Sequence, residues 1–228
     1  MAKLLHFPVD PFCRRIRISL GEYRCEAEVI EERPWENRAS FVALSPAGIL
    51  PVFIDDDGTA AIGIEAASEY LDETRGNDSK TLIGTMPAER AETRRLVAWF
   101  DGKFHAEVSG PVLTEKVIRR FLPRESGGGA PDMARVRRGL AMVREHLDYI
   151  GELAETRNWL AGERLSAADL AAAAHLSALD YLGDVPWHEN AAAKAWYQRI
   201  KCRPSFRPLL ADNIRGMPPP RLYADLDF

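Results

Sequence analysis

Residues 47–63 read "AGILPVFIDDDGTAAIG". Two strand-like runs flank Asp57–Gly58, a pair that favours the left-handed backbone of a hairpin turn. The stretch therefore predicts two short antiparallel strands, and "IEAASEYLDETR" (64–75), which follows, carries helical spacing. Upstream, "KLLHFPV" (3–9) is strand-like and runs into Asp10–Pro11, an N-cap followed by proline at the first helical position. Phe12, Ile16 and Leu20 then recur at helical spacing, and Gly21 is expected to end the run. "CEAEVI" (25–30) predicts a second strand, and a loop with Pro34 and Trp35 leads to a short helical stretch at "RASFVAL" (38–44). The first 76 or so residues thus predict β-α-β-α-β-β-α.

The pattern changes after the polar, turn-rich "GNDSKTLIGTMP" (76–87). Residues 88–109 and 132–156 are long helical patterns, and Gly110–Pro111 is expected to break or kink the first. "PRESGGGAP" (123–131) is a flexible connection. Ser166-x-x-Asp169 is a capping box, with Leu165 and Leu170 as its hydrophobic staple. "NAAAKAWYQRIKCRPSF" (190–206) is one more helix, stopped at Arg203–Pro204. The fold class is α+β, with a mixed unit at 1–76, a linker at 77–87, an all-helical unit at 88–210 and an extended tail at 211–228.

Net charge of −4 argues against a dedicated nucleic-acid binder. No apolar run reaches the roughly 20 residues of a spanning helix, so direct membrane insertion is not expected. The start reads as a strand and not as a signal peptide. Cys13, Cys25 and Cys202 are too scattered for a disulfide framework or a zinc cluster, which predicts a reduced, cytosolic protein. The five histidines have no partnered metal spacing, and "SGGGAP" lacks the lysine of a phosphate loop. No metal and no cofactor are expected.

Cys13 lies in the first turn of the first helix, close to Arg14 and Arg15, where a thiol pKa can fall. The competing reading is a small core-facing residue. Residues 115–144 hold Lys116, Arg119, Arg120, Arg124, Arg135, Arg137, Arg138 and Arg144 against Glu115, Glu125 and Asp132. They form either solvated helix faces or a surface for an acidic partner. Trp35 is either an exposed anchor or a domain-packing residue. In "MPPPRLYADLDF" (217–228) three prolines favour an extended segment, and Leu222, Tyr223, Leu226 and Phe228 interleave with Arg221, Asp225 and Asp227. That tail either packs on its own helical domain or docks a partner.

The chain resembles the cytosolic glutathione transferases in "AGILPVF", "EYLDE", "WLAGERLSAADL" and "WYQRIKCRPSF", taken in that order over about residues 3–210. The resemblance implies a glutathione-transferase fold: a thioredoxin-like first domain on an all-α second domain, usually as a homodimer. It implies a cis peptide before Pro51, with the main chain of Leu50 facing the peptide part of glutathione. The thiol-activating position then falls on Asp10, where an ionised carboxylate offers no proton and repels a thiolate. The positions that grip the γ-glutamyl end fall on Gly63 and Ile64, which cannot hydrogen-bond through their side chains. The glutathione site formed by Asp10, Leu50, Pro51, Gly63 and Ile64 is thus expected to be degenerate, with no catalytic residue.

"DPFCRRIR" (10–17), "AIGIEAASEYL" (61–71) and the ending "PPPRLYADLDF" (218–228) are similar to the glutathione-transferase-like division proteins of α-proteobacteria that bind FtsZ, the tubulin-like division GTPase. That likeness implies a cytoplasmic homodimer at the division site. It would bind FtsZ filaments, promote their curvature or bundling, and link them to the septal wall synthesis machinery. The candidate contacts are Trp35, Arg119, Arg120, Arg124, Arg137, Arg138, Arg221, Leu222, Tyr223, Asp225, Asp227 and Phe228. The alternative is a glutathione-dependent transferase or thiol reductase using Cys13.

Overall fold

The computed structural model describes residues 1–226. Four strands, β1 (Ala2–His6), β2 (Ala27–Glu31), β3 (Val52–Ile54) and β4 (Ala60–Ile62), form one sheet in the order β2-β1-β3-β4. β1 and β2 run parallel, with helix α1 (Pro11–Tyr23) as the crossover that parallel strands need. The β1–β3 and β3–β4 pairs are antiparallel. The loop 55–59 joins β3 to β4, with Gly58 at φ 89°. Adjacent β1 residues face opposite ways and both are buried. Leu4 packs with Phe53 and with Ile16 and Leu20 of α1, whereas Leu5 packs with Val52 and with Phe41 of α2 (Ala39–Leu44). Helix α3 (Ile64–Arg75) adds Ala67 and Leu71 to the first of these layers. The Leu50–Pro51 peptide is cis.

α1 does not stop at Gly21. It runs to Tyr23 and is capped by Arg24 at φ 55°. Glycine is required at 21 for another reason: a Cβ there would lie 2.7 Å from the Cα of Ser205, so the helix crosses that segment in direct backbone contact.

The helical part begins with α4 (Pro87–Ala98). Of the break or kink expected at Gly110–Pro111, no break occurs. The chain stays helical through Trp99–Ser109, α5 (Gly110–Leu113), Thr114–Ile118 and α6 (Arg119–Phe121). The stretches on either side of α5 are π-helical, and the amide of Gly110 reaches back to the carbonyl of His105. The wider turns accommodate a proline that has no amide to donate.

Helix α7 (Met133–Thr156), capped by Asp132, packs against this column. α8 (Ala167–Asp180) is buried along its whole length, which explains its alanine content. Its capping box forms as expected: the Asp169 carboxylate accepts from the Ser166 amide at 3.0 Å, and its other oxygen accepts from the indole of Trp196 at 3.0 Å. Leu165 and Leu170 flank the box and join the main core. α9 (Ala191–Lys201) and α10 (Arg207–Leu210) close the bundle. No helix among the described residues is long and apolar enough to cross a membrane.

One buried side chain joins the two parts. Arg14, on α1, is fully buried. Its guanidinium donates to the Pro8 carbonyl at 2.7 Å, Ser177 Oγ on α8 at 3.0 Å, Tyr223 Oη at 2.9 Å and the Asp212 carboxylate at 3.1 Å. Arg17 completes the pair on Asp212 at 2.8 Å. Tyr223 Oη in turn donates to the Leu209 carbonyl at 3.0 Å. Removing one partner of a buried charge cluster costs about 3–5 kcal/mol, whereas losing one phenolic hydroxyl costs about 1–2 kcal/mol. Urea denaturation should therefore rank Arg14→Ala as destabilised by about 3–5 kcal/mol and Tyr223→Phe by about 1–2 kcal/mol.

Candidate functional site

The first candidate site lies where α1 begins. Asp10 Oδ1 accepts the Cys13 amide at 2.8 Å, the N-cap that Asp10–Pro11 predicts. Burial pushes the Asp10 carboxyl up, against the pull of the Cys13 amide. Cys13 is fully buried and takes the Phe7 amide on its sulfur at 3.5 Å. Burial first, and then the Asp10 carboxylate, push its thiol well above the usual range. Arg14 and Arg15 do not offset this. Arg14 is committed to its buried partners, and Arg15 is bonded to Asp101 and to Ser68 Oγ. The thiol stays protonated and enclosed, so this geometry opposes Cys13 as a nucleophile.

Positions 63 and 64, expected to face a tripeptide's charged end, carry no polar side chain. Gly63 sits at φ 84° and donates its amide to the Pro51 carbonyl at 2.8 Å. A Cβ at Gly63 would meet Ile49 Cδ1 at 3.1 Å, so Ile49 occupies the space a gripping side chain would need. Ile64 packs against the main core, and Leu50 packs at the edge of two smaller clusters. Ile49 had no signal in the sequence. It is placed by the turn before it, where the Ser45 hydroxyl accepts the Ile49 amide at 3.2 Å and donates to its carbonyl at 3.1 Å.

Histidines dispersed in sequence come together here. His175 Nε2 lies 3.2 Å from Asp101 Oδ1, and its Nδ1 lies 2.8 Å from Ser109 Oγ. That hydroxyl lies 3.2 Å from His105 Nδ1, and the Phe12 ring packs on both imidazoles. Burial, then His175, lower the His105 pKa to about 4. Burial would raise Asp101, but Arg15 and His175 outweigh it and its pKa falls. The Asp101, His105, Ser109 spacing is visible along one helix, whereas His175 arrives only through the packing of α8. Phe7, Val9, Asp10, Phe12, His105 and Thr114 are among the walls of a cavity of about 190 Å³ beside this chain. The hydroxyl of Ser109 is buried and held between two imidazoles, so the chain braces the domain junction and exposes no nucleophile. Among the described residues no group of three or more His, Cys, Asp or Glu could hold a metal ion.

The candidate partner contacts divide. Arg119 pairs with buried Glu115 at 3.2 Å, which also holds Arg135 at 3.3 Å. Lys116 is neutralised by Asp184 at 2.6 Å, and Arg144 by Glu189. Arg120, Arg124, Arg137 and Arg138 are exposed and make no ion pair among the described residues. Trp35 is half-buried and is a packing residue. It meets Phe7 edge-on at 5.0 Å and stacks on Phe121 at 5.8 Å, with the Arg33 guanidinium 4.9 Å from the Phe121 ring.

The tail packs back on its own domain through a short helical turn, Arg221–Ala224. Tyr223 is buried there, which corrects the expectation that it is a surface contact: Arg14 needs its hydroxyl. Leu222 is 62% exposed, and Arg221 and Asp225 also face outward. Asp227 and Phe228 lie outside the described residues.

The family models for the glutathione S-transferase N-terminal and C-terminal domains match residues 4–79 and 133–199. FtsZ-localized protein A of Caulobacter vibrioides is 47% identical over 99% of this chain and 97% of its own length. The chain belongs to the glutathione S-transferase family, in the branch of FtsZ-localized protein A. The solved structure of FzlA from C. crescentus superimposes with a TM-score of 0.93 at 47% identity, covering 100% of this chain and 99% of that one. A Sinorhizobium meliloti 1021 structure described as a glutathione S-transferase gives 0.96 at 48% identity, covering 100% of both chains.

Within the glutathione S-transferase fold the altered positions have measurable consequences. Native protein exposed to iodoacetamide should be alkylated at exposed Cys202 and spared at buried Cys13 until it is unfolded, as read by mass spectrometry of the peptides. Calorimetry with millimolar glutathione should give no saturable heat, because no side chain at 63 or 64 can hold the ligand's charged end.

Proposed function

We propose that the chain is a non-catalytic, glutathione-transferase-like dimer that binds FtsZ filaments at the division site in the cytoplasm, favours their curved or bundled form, and couples them to septal wall synthesis. The observation that carries this reading is one satellite cluster. It gathers Phe7 and Val9 from just after β1, Val117 from the long helix, Tyr181 from the end of α8, and Ile214 and Tyr223 from the tail, with Trp35 and Phe121 packed against it. The candidate contacts from distant parts of the sequence are therefore rooted in a common base. Arg120 and Arg124, exposed, flank Phe121 in sequence, and exposed Leu222 precedes Tyr223. Unpaired guanidinium groups next to apolar ones suit an acidic partner, in contact and in encounter rate. The branch relationship to FtsZ-localized protein A supports FtsZ as that partner.

Two copies of this surface in a dimer would bridge filaments or subunits, with the second contact strengthened by effective concentration. Curvature follows if the dimer binds bent filaments better than straight ones. The transferase alternative would need a reactive thiol or hydroxyl at the mouth of the first helix, and Asp10 and Cys13 supply neither.

Co-sedimentation with polymerised FtsZ tests the reading. Arg120→Glu/Arg124→Glu should weaken retention about tenfold, an effect that shrinks as salt is raised. Leu222→Asp should weaken it without loss of folding, because that side chain is exposed. Unchanged retention of both variants would remove this surface, and glutathione turnover by the native protein would restore the transferase reading.

A further inference from the structure

β2 ends the sheet, and its other flank has no strand neighbour among the described residues. Its main chain bonds only to β1 among the described residues, so alternate amides and carbonyls of residues 27–31 lie open along that flank. Beside it runs a groove of about 590 Å³, walled in part by Leu20, Cys25, Ala27, Val29, Pro204 and Pro208. Val29 is 47% exposed although it sits in a strand. Within the groove the charge left without an ion pair among the described residues is negative. Glu26 and Glu28 line the groove and make no ion pair among the described residues. The cations along the groove are already paired, Arg17 with Asp212 at 2.8 Å and the Met1 ammonium with Asp56 at 2.7 Å. Lys3, opposite Glu28 on β1, makes no ion pair with it.

We infer that the β2 edge and its groove form a second docking surface, which takes an extended polypeptide segment with alternating basic and apolar side chains. Such a segment would add as a fifth strand. Its main chain would meet the open edge of β2, its apolar side chains would enter the groove over Ala27 and Val29, and its lysines or arginines would meet Glu26 and Glu28. None of these residues belongs to the satellite cluster around Trp35 and Tyr223, so both surfaces can be occupied together. A protein that couples one partner to another needs two such surfaces. The carboxylates could instead serve only to keep the edge from pairing, as charges on edge strands often do, and the experiment separates the two roles.

The probe is a fluorescein-labelled eight-residue peptide of alternating lysine and valine, compared with the same peptide carrying glutamate for lysine. Anisotropy should show saturable binding of the lysine peptide to the full chain and at least tenfold weaker binding of the glutamate peptide. Hydrogen exchange should slow at amides in 27–31 when the lysine peptide is bound. Glu26→Lys/Glu28→Lys, two surface changes that leave the core untouched, should reduce that affinity at least tenfold. Absence of binding, equal binding of the two peptides, insensitivity to the charge reversal, or protection elsewhere than β2 would each overturn the inference. None of these outcomes depends on FtsZ, so failure here and failure of the FtsZ reading are distinguishable.

Discussion

The buried guanidinium of Arg14 is the constraint on which the architecture turns. A fully buried charge is tolerated only when it is paired and its donors are satisfied. Satisfying this one requires the Pro8 carbonyl at the mouth of the first helix, the Ser177 hydroxyl on the central helix, Asp212 after the bundle, and Tyr223 in the tail. The domain junction, the cleft loop and the tail are thereby held to one geometry. Leu222 faces solvent because Tyr223 beside it cannot.

The same region sets the chemistry at the start of the first helix. A helix start favours an anion, and Asp10 already caps this one. Cys13 is enclosed beneath it and its thiol is pushed up, while the neighbouring arginines are taken by structural carboxylates. Ile49 then lies where a side chain at 63 would reach toward a ligand. These contacts hold the helix start and the turn before Pro51 together.

Much of the fold was legible because it is specified locally. The Asp57–Gly58 turn, the Asp10–Pro11 helix start and the Ser166–Asp169 box each form from residues a few positions apart. What the sequence concealed is long-range. Arg14 reads as a cation close to Cys13, and only the arrival of Asp212 and Tyr223 makes it a core residue. His105 and His175 look unrelated until α8 packs against the long helix. Gly110–Pro111 reads as a break, yet π-helical turns carry the helix past it. Of the candidate contacts, Arg120, Arg124, Arg137, Arg138, Arg221, Leu222 and Asp225 face outward, whereas Arg119 and Tyr223 are drawn into internal pairs.

The central claim is that surfaces distant in sequence act as a single contact for FtsZ. Hydrogen-exchange mass spectrometry of the chain with and without FtsZ filaments measures this directly. The account predicts that exchange slows together in residues 33–36, 117–124 and 219–226, and stays unchanged at 49–52 and 63–66, the segments around the cis-proline and the start of α3. Slowing confined to that site, or to only one of the three segments, would contradict it.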